Sequence, residues 1–137
     1  MTERPLPRPT ALSQPFWDAA RQHELHVQRC TACGTHVFYP RYNCTSCGSR
    51  GLDWVRASGR ATVYTFTVAR RPTHQAFADK TPYVIAIVEL DEGPRLTTNI
   101  IGCEPDDVRI GMQVEAAFAD VTDEMTLVEF RPAQVPR

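Results

Sequence analysis

The stretch Leu25–Val55 reads LHVQRCTACGTHVFYPRYNCTSCGSRGLDWV, and within it C-T-x-C-G occurs twice, at Cys30–Gly34 and at Cys44–Gly48. Two residues between paired cysteines make a tight knuckle that aims both sulfurs at one point. Two such knuckles, ten residues apart, supply the four thiolates that a closed tetrahedral zinc site takes. The glycine after each pair allows the positive φ such a turn often needs. Backbone N–H groups around the turn can face the sulfurs and spread their charge. Cys30, Cys33, Cys44 and Cys47 are thus the expected ligands of one structural Zn2+, with no open position left for a substrate. Two disulfides or four buried thiols leave the repeated knuckle unexplained. A rubredoxin-type iron site would use the same knuckles, but it usually sits in a very acidic small protein, whereas this segment is basic.

Outward from the knuckles, Val37–Phe38–Tyr39 looks strand-like and stops at Pro40, and Leu52, Trp54 and Val55 alternate with polar residues as a strand does. Upstream, Pro5, Pro7 and Pro9 favour an extended arm. Ser13 is placed to cap a short helix, with Pro15 tolerated in its first turn. Phe16, Trp17, Ala19, Ala20 and Leu25 give that helix an apolar side, which needs a surface in this chain or in a partner. Downstream the pattern is all-β. The expected strands are Ala61–Ala69, Pro82–Leu90, Arg95–Ile101, Met112–Phe118 and Met125–Phe130. The second is nearly all apolar, as a strand covered on both faces would be. Five strands with a break after the third suit a small OB-type barrel. The expected fold is therefore mainly β: arm and short helix (1–24), rubredoxin-like zinc ribbon (25–56) and a five-stranded OB-fold domain (57–137).

A content of 42% hydrophobic and 23% charged residues fits a folded globular chain. No apolar run approaches the roughly 20 residues of a membrane span, and the first ten residues hold no apolar signal core. A cytoplasmic location without membrane attachment is the expectation. The net charge of −1 hides an uneven split. Residues 25–78 carry seven arginines against Asp53, and residues 79–137 carry twelve acids against five bases. Arginine provides fourteen of the fifteen basic residues, and its fork matches phosphate oxygens. The basic half is either a solvated surface or an anion site.

The order of parts and several strings resemble a bacterial and archaeal family called domain of unknown function thirty-five. The resemblance rests on QRCTACGTHVFYPRYNCTSCGS, SGRATVYTFTV, PYVIAIVELDEGPRL and IIGCEPDDVRIGMQVE. It implies a short helix, a rubredoxin-like ribbon and an OB fold. It further implies a companion subunit of acyl-CoA enzymes: thiolases, the thiolase-type retro-aldolases of steroid side-chain degradation, or MaoC-like enoyl-CoA hydratases. In such hetero-oligomers the partner holds the catalytic residues, while the companion contributes to the acyl-CoA site and joins the subunits. Coenzyme A ends in a pyrophosphate and a ribose phosphate, so the arginine-rich half is a plausible docking surface for it. From charge and position, Tyr39, Pro40, Arg41 and Tyr64 are candidate contacts near the junction of ribbon and barrel. Arg70 and Arg71 are candidates for the phosphates. The plainer readings put Tyr64 in the barrel core, Arg70–Arg71 at a solvated strand end, and Phe16 and Trp17 in internal packing.

Two other functions compete. Zinc ribbons and OB barrels also bind single-stranded nucleic acid, and Tyr64 and Phe66 would be stacking candidates; the acidic half and the near absence of lysine oppose this. A free-standing hydrolase or hydratase would have to draw on Cys103, His74 or Glu89, and no acid–base pair at telling spacing supports it. His23, His26 and His36 are equally scattered. Cys103 alone, after Gly102, reads as packing.

Overall fold

The computed structural model describes residues 6–72 and 75–133. Pro5 and His74 lie outside them. Thr10 and Ser13 shape the helix entry: the Thr10 N–H donates to Ser13 Oγ at 2.9 Å. Ser13 occupies the N-cap position of helix α1 (Gln14–Arg21), but its hydroxyl makes no cap bond to the helix. Instead it serves the turn before the helix, and Pro15 fills the first turn without losing a bond. Ala19 and Ala20 are buried, and Phe16 packs against the main core on the same face.

Strand β1 (His26–Cys30) is central in a three-stranded antiparallel sheet, flanked by β2 (His36–Val37) and β3 (Leu52–Arg56). Phe38 and Tyr39 leave the sheet, so β2 is shorter than the sequence suggested. One end of this sheet delivers Cys30 to the first knuckle. The other end enters the barrel core: Leu25, Val27 and Ala57 belong to the same buried cluster as Val88, Val114 and Phe130. Burying a side chain such as Val27 stabilises by about 1.5–3 kcal/mol. Ribbon and barrel therefore share one core.

Five strands close the barrel: β4 (Arg60–Ala69), β5 (Tyr83–Leu90), β6 (Arg95–Ile100), β7 (Gln113–Asp120) and β8 (Thr126–Pro132). Their order is β4-β5-β6-β8-β7, with β7 pairing back to β4. Three consecutive antiparallel strands followed by a crossover that sets β6 parallel to β8 is OB connectivity. That parallel seam is registered at a single pair, Ile100 with Phe130. A bulge between Val63 and Thr65 shifts the phase of β4. Tyr64, next to the buried Val63, faces outward by simple alternation and is 48% exposed, so the reading that placed it in the core is corrected, and the bulge returns Phe66 and Val68 to the core side. Strand β5 also departs from expectation. It alternates strictly between buried and half-buried residues, so its outer face is partly open rather than fully covered.

Candidate functional site

Strand β1 ends on Cys30, and the chain turns at Cys33 so that Gly34, at φ +79°, donates its N–H to the Cys30 carbonyl at 2.8 Å. The second knuckle repeats this. Gly48, at φ +80°, donates to the Cys44 carbonyl at 3.0 Å. The knuckles are tied at their flanks as well, where a Cβ on Gly51 would stand 2.5 Å from Thr31 Oγ1. The four sulfurs all lie within 4.8 Å of one another. Cys30 Sγ is 3.6 Å from Cys47 Sγ, and Cys33 Sγ is 3.7 Å from Cys44 Sγ. Four thiolates at about 2.3 Å from a tetrahedral ion are roughly 3.8 Å apart, so the spacing fits zinc.

Local hydrogen bonds prepare the thiolates. The Cys33 thiol is drawn down to about 6, first by the Thr35 hydroxyl and then by the Thr35 N–H. Cys30 is also lowered, chiefly by the Cys33 N–H. The Ser46 N–H faces Cys44 Sγ at 3.3 Å. At Cys47 the Ser49 N–H favours the thiolate, yet the hydrogen bonds with Cys30 and Cys33 outweigh it and push the thiol up to about 11. Four adjacent sulfurs cannot all carry charge unaided, and a divalent cation removes that conflict.

A cavity of about 360 Å3 opens where helix, ribbon and barrel meet. Phe16, Trp17, Phe38 and Tyr39 form its aromatic side, against Leu96 of β6 and Val128 of β8. The rings of Phe16 and Phe38 are 5.4 Å apart, and Phe16 meets Trp17 edge-on at 4.8 Å. Phe16 and Trp17 thus combine internal packing with a cavity wall. The Thr97 N–H donates to the Tyr39 hydroxyl at 3.1 Å, fixing that ring across the mouth. Asn99 and Glu129 line both this cavity and a second one of about 380 Å3 that reaches Phe77 and Lys80.

Beyond Pro40 the chain enters a separate groove of about 320 Å3, where Arg41, Tyr42, Arg50 and Trp54 stand beside Leu12 and Pro15. Gln28, 3% exposed, holds this turn with both polar atoms. Its Nε2 donates to the Arg41 carbonyl at 2.9 Å, and its Oε1 accepts the Arg41 N–H at 2.7 Å. Replacing Gln28 with leucine strands both groups, so the zinc-loaded variant should lose about 1–3 kcal/mol in urea unfolding.

Of the residues singled out for a ligand, Tyr39 lines the aromatic cavity and Arg41 the separate groove beyond Pro40. Tyr64 lies on the barrel surface under the Arg95 guanidinium, 3.8 Å from its ring centre. Arg70 pairs with Asp106 at 3.2 Å, and Arg71 is exposed at the end of β4. Neither Tyr64 nor Arg70 nor Arg71 lines the aromatic cavity. Tyr42, Arg50 and Trp54 had not been singled out. Their signal was the symmetry of Arg41 and Arg50, which flank the second knuckle on its two sides.

The residues weighed for catalysis are engaged otherwise. Glu89 accepts a hydrogen bond from Arg95 at 2.9 Å. The Cys103 thiol is pushed up by burial and then by Asp107 and Glu104, opposite to what a nucleophile needs. Two histidines do meet carboxylates: His26 Nε2 lies 2.9 Å from Glu24, and His23 Nε2 lies 3.0 Å from Asp120. The Thr126 hydroxyl donates to the same carboxylate at 2.6 Å, so it points at the acid and not at the imidazole base. Thr126 first, and His23 second, hold the Asp120 carboxyl below its ordinary range. Among the described residues no helix is long and apolar enough to cross a membrane.

Comparison with known proteins agrees with this geometry. Residues 17–53 match the rubredoxin-like zinc ribbon domain of ChsH2, and residues 54–119 match the ChsH2 C-terminal OB-fold domain. A probable enoyl-CoA hydratase alpha subunit of Thermomonospora curvata is 47% identical over 119 residues, covering 86% of this chain and 37% of that protein. The chain therefore spans little more than a third of that relative. A DUF35 domain-containing scaffold protein of Methanothermobacter thermautotrophicus is 38% identical over 105 residues, 76% of this chain and 78% of that one. Among solved structures, a chain of the Ltp2-ChsH2(DUF35) aldolase superposes with a TM-score of 0.83 at 42% identity, covering 93% of this chain and 98% of that chain. Two knuckles converging on one point, an OB barrel behind them and relatives that match over both parts lead to one assignment: the chain belongs to the DUF35 family.

Proposed function

We propose that this protein is a zinc-held accessory subunit of an acyl-CoA enzyme, with a thiolase-superfamily aldolase or thiolase as its partner. The observation that carries the reading is the likeness, over nearly the whole of both chains, to the DUF35 subunit of an aldolase. The partner supplies the catalytic residues, and this chain joins subunits and walls part of the acyl-CoA site. The aromatic cavity between Phe16 and Tyr39 supports that second role, since its apolar lining suits a pantetheine arm or acyl chain. In this reading Tyr39 and Arg41 are the ligand contacts, while Tyr64 and Arg70, already engaged with Arg95 and Asp106, belong to the barrel surface. The four thiolates hold zinc as a structural ion, and a cytoplasmic location keeps them reduced.

A second reading makes the partner a MaoC-like hydratase, and the 47% identity to a hydratase alpha subunit supports it. Co-expression with a thiolase-like chain and with a MaoC-like hydratase, each followed by mass measurement of the intact complex, separates the two. A stable complex with a thiolase-like chain is the expected result. Recovery with a hydratase alone moves the protein to the second reading. If the purified chain by itself turns over acyl-CoA thioesters, the accessory role is overturned.

A further inference from the structure

The groove beyond Pro40 has a chemistry of its own. Arg41 and Arg50 leave the ribbon from separate loops and converge on it, and among the described residues neither has an ion pair. Four other arginines differ in this respect, while Arg8, Arg21, Arg29, Arg60, Arg71 and Arg109 share it but do not line this groove. Arg56, Arg70, Arg95 and Arg131 each face a carboxylate. A pair of unneutralised guanidinium groups repel each other and gain from an anion placed between them, most from a multiply charged one with planar oxygen pairs. Beside them stand two flat side chains, Trp54 and the 73% exposed Tyr42. Arginine forks beside aromatic faces match a phosphorylated heteroaromatic base, which needs both a charge partner and a stacking partner.

The groove is also built rather than incidental. A buried glutamine spends both polar atoms on the Arg41 backbone. On the Arg50 side, the Thr31 N–H and hydroxyl both donate to the Gly51 carbonyl, at 2.8 and 3.0 Å. Its volume of about 320 Å3 suits a mononucleotide. Position completes the argument. Leu12, Pro15 and Arg41 border this groove, whereas Ser13, Phe16 and Pro40 border the aromatic cavity. The two spaces are adjacent across the same two chain segments.

We propose that Arg41 and Arg50, with Tyr42 and Trp54, bind the phosphorylated adenosine end of the acyl-CoA, and that its arm crosses Pro40 into the aromatic cavity. The inference rests on the acyl-CoA reading above and assigns its polar half to the ribbon. It places the anion site on the zinc ribbon, away from Arg70 and Arg71. No step of chemistry is assigned to these residues. They hold and orient.

The test uses the zinc-loaded full chain and titration calorimetry with adenosine 3′,5′-bisphosphate as the probe. Wild type should bind it, with an affinity that falls as salt rises. Arg41→Ala/Arg50→Ala should weaken it at least tenfold, and Tyr42→Ala severalfold. Both changes are on exposed side chains, and zinc content confirms that the ribbon is intact. Arg41→Lys/Arg50→Lys should recover part of the loss, as a point charge without the fork would. Pantetheine, which lacks the phosphates, should be indifferent to all three variants. The inference is overturned if wild type does not bind the bisphosphate or if the double alanine variant binds it unchanged. It is also overturned if a single-stranded oligonucleotide binds the same arginines more tightly than the bisphosphate. Complex formation, measured in parallel on the same variants, reports on the accessory role separately: a double variant that assembles normally leaves that role standing whatever the calorimetry gives.

Discussion

Cys44→Ser is expected to release the metal ion and to abolish assembly with the enzyme partner. Cys44 is 4% exposed and belongs to the small buried cluster of the ribbon, with Cys30, Val37 and Leu52. A serine hydroxyl stays protonated and leaves three thiolates with no fourth ligand. The ribbon has too few apolar side chains to fold by burial alone, so the metal's contribution, on the order of 10 kcal/mol, has no substitute. The loss reaches the ligand groove too, because both knuckles anchor the loops that carry Arg41 and Arg50. Elemental analysis should find one zinc per wild-type chain and none in the variant, with colourless protein in both cases. Iron in the wild type would favour the rubredoxin-like alternative. Wild-type-like assembly by a metal-free variant would remove the ribbon from the interface.

Phe130→Ala should have the largest effect in the barrel. Phe130 has no exposed surface, and it sits at the one registered pair that joins β6 to β8. Its carbonyl accepts the Ile101 N–H at 2.8 Å, while its ring occupies the core shared with Leu25 and Val27. Truncation removes a full ring's worth of burial and leaves a cavity that neighbouring Val and Ala side chains are too short to fill. The expected cost is about 3–5 kcal/mol. In thermal unfolding this should lower the midpoint by at least about 10 °C. Zinc content should stay at one per chain, because the ribbon's own cluster is untouched. A variant that melts like wild type would show that the seam is closed by something other than this ring.

The ribbon was legible in sequence because metal binding imposes spacing on adjacent residues. The C-x-x-C-G pattern anticipated the convergence of four sulfurs and the positive φ of Gly34 and Gly48, and the structure shows both. The five barrel strands were legible too, since β-branched runs and turn residues mark their limits within a residue or two. What escaped was whatever depends on phase or on distant chain. The bulge at Val63–Thr65 shifts the phase after Tyr64 and returns Phe66 and Val68 to the core side, and no local residue announces it. The outer face of β5 reads as buried because isoleucine is apolar on either face of a strand. Ser13 was placed at the helix start by its type, but Thr10 competes for its hydroxyl. The ligand groove joins residues from 11 to 54, so Tyr42, Arg50 and Trp54 acquire meaning only once β1 and β3 are paired. Arg70 was a candidate by charge alone, and Asp106, thirty-six residues later, takes up that charge.

The ion pairs of the folded chain fall unevenly, and this has a kinetic consequence. Pairs such as Arg70–Asp106, Arg95–Glu89 and Arg131–Glu115 lie within the barrel, and its surplus carboxylates remain, whereas Arg29, Arg41 and Arg50 of the ribbon stay uncompensated among the described residues. The molecule is therefore an electric dipole with almost no net charge. A collision partner feels little attraction at long range but a torque on approach, which turns the ribbon toward negative surface before contact. Such pre-orientation speeds encounter without tightening the final complex. Raising ionic strength shortens the reach of that torque to a few ångströms, so the association rate should drop while the lifetime of the bound state holds steady.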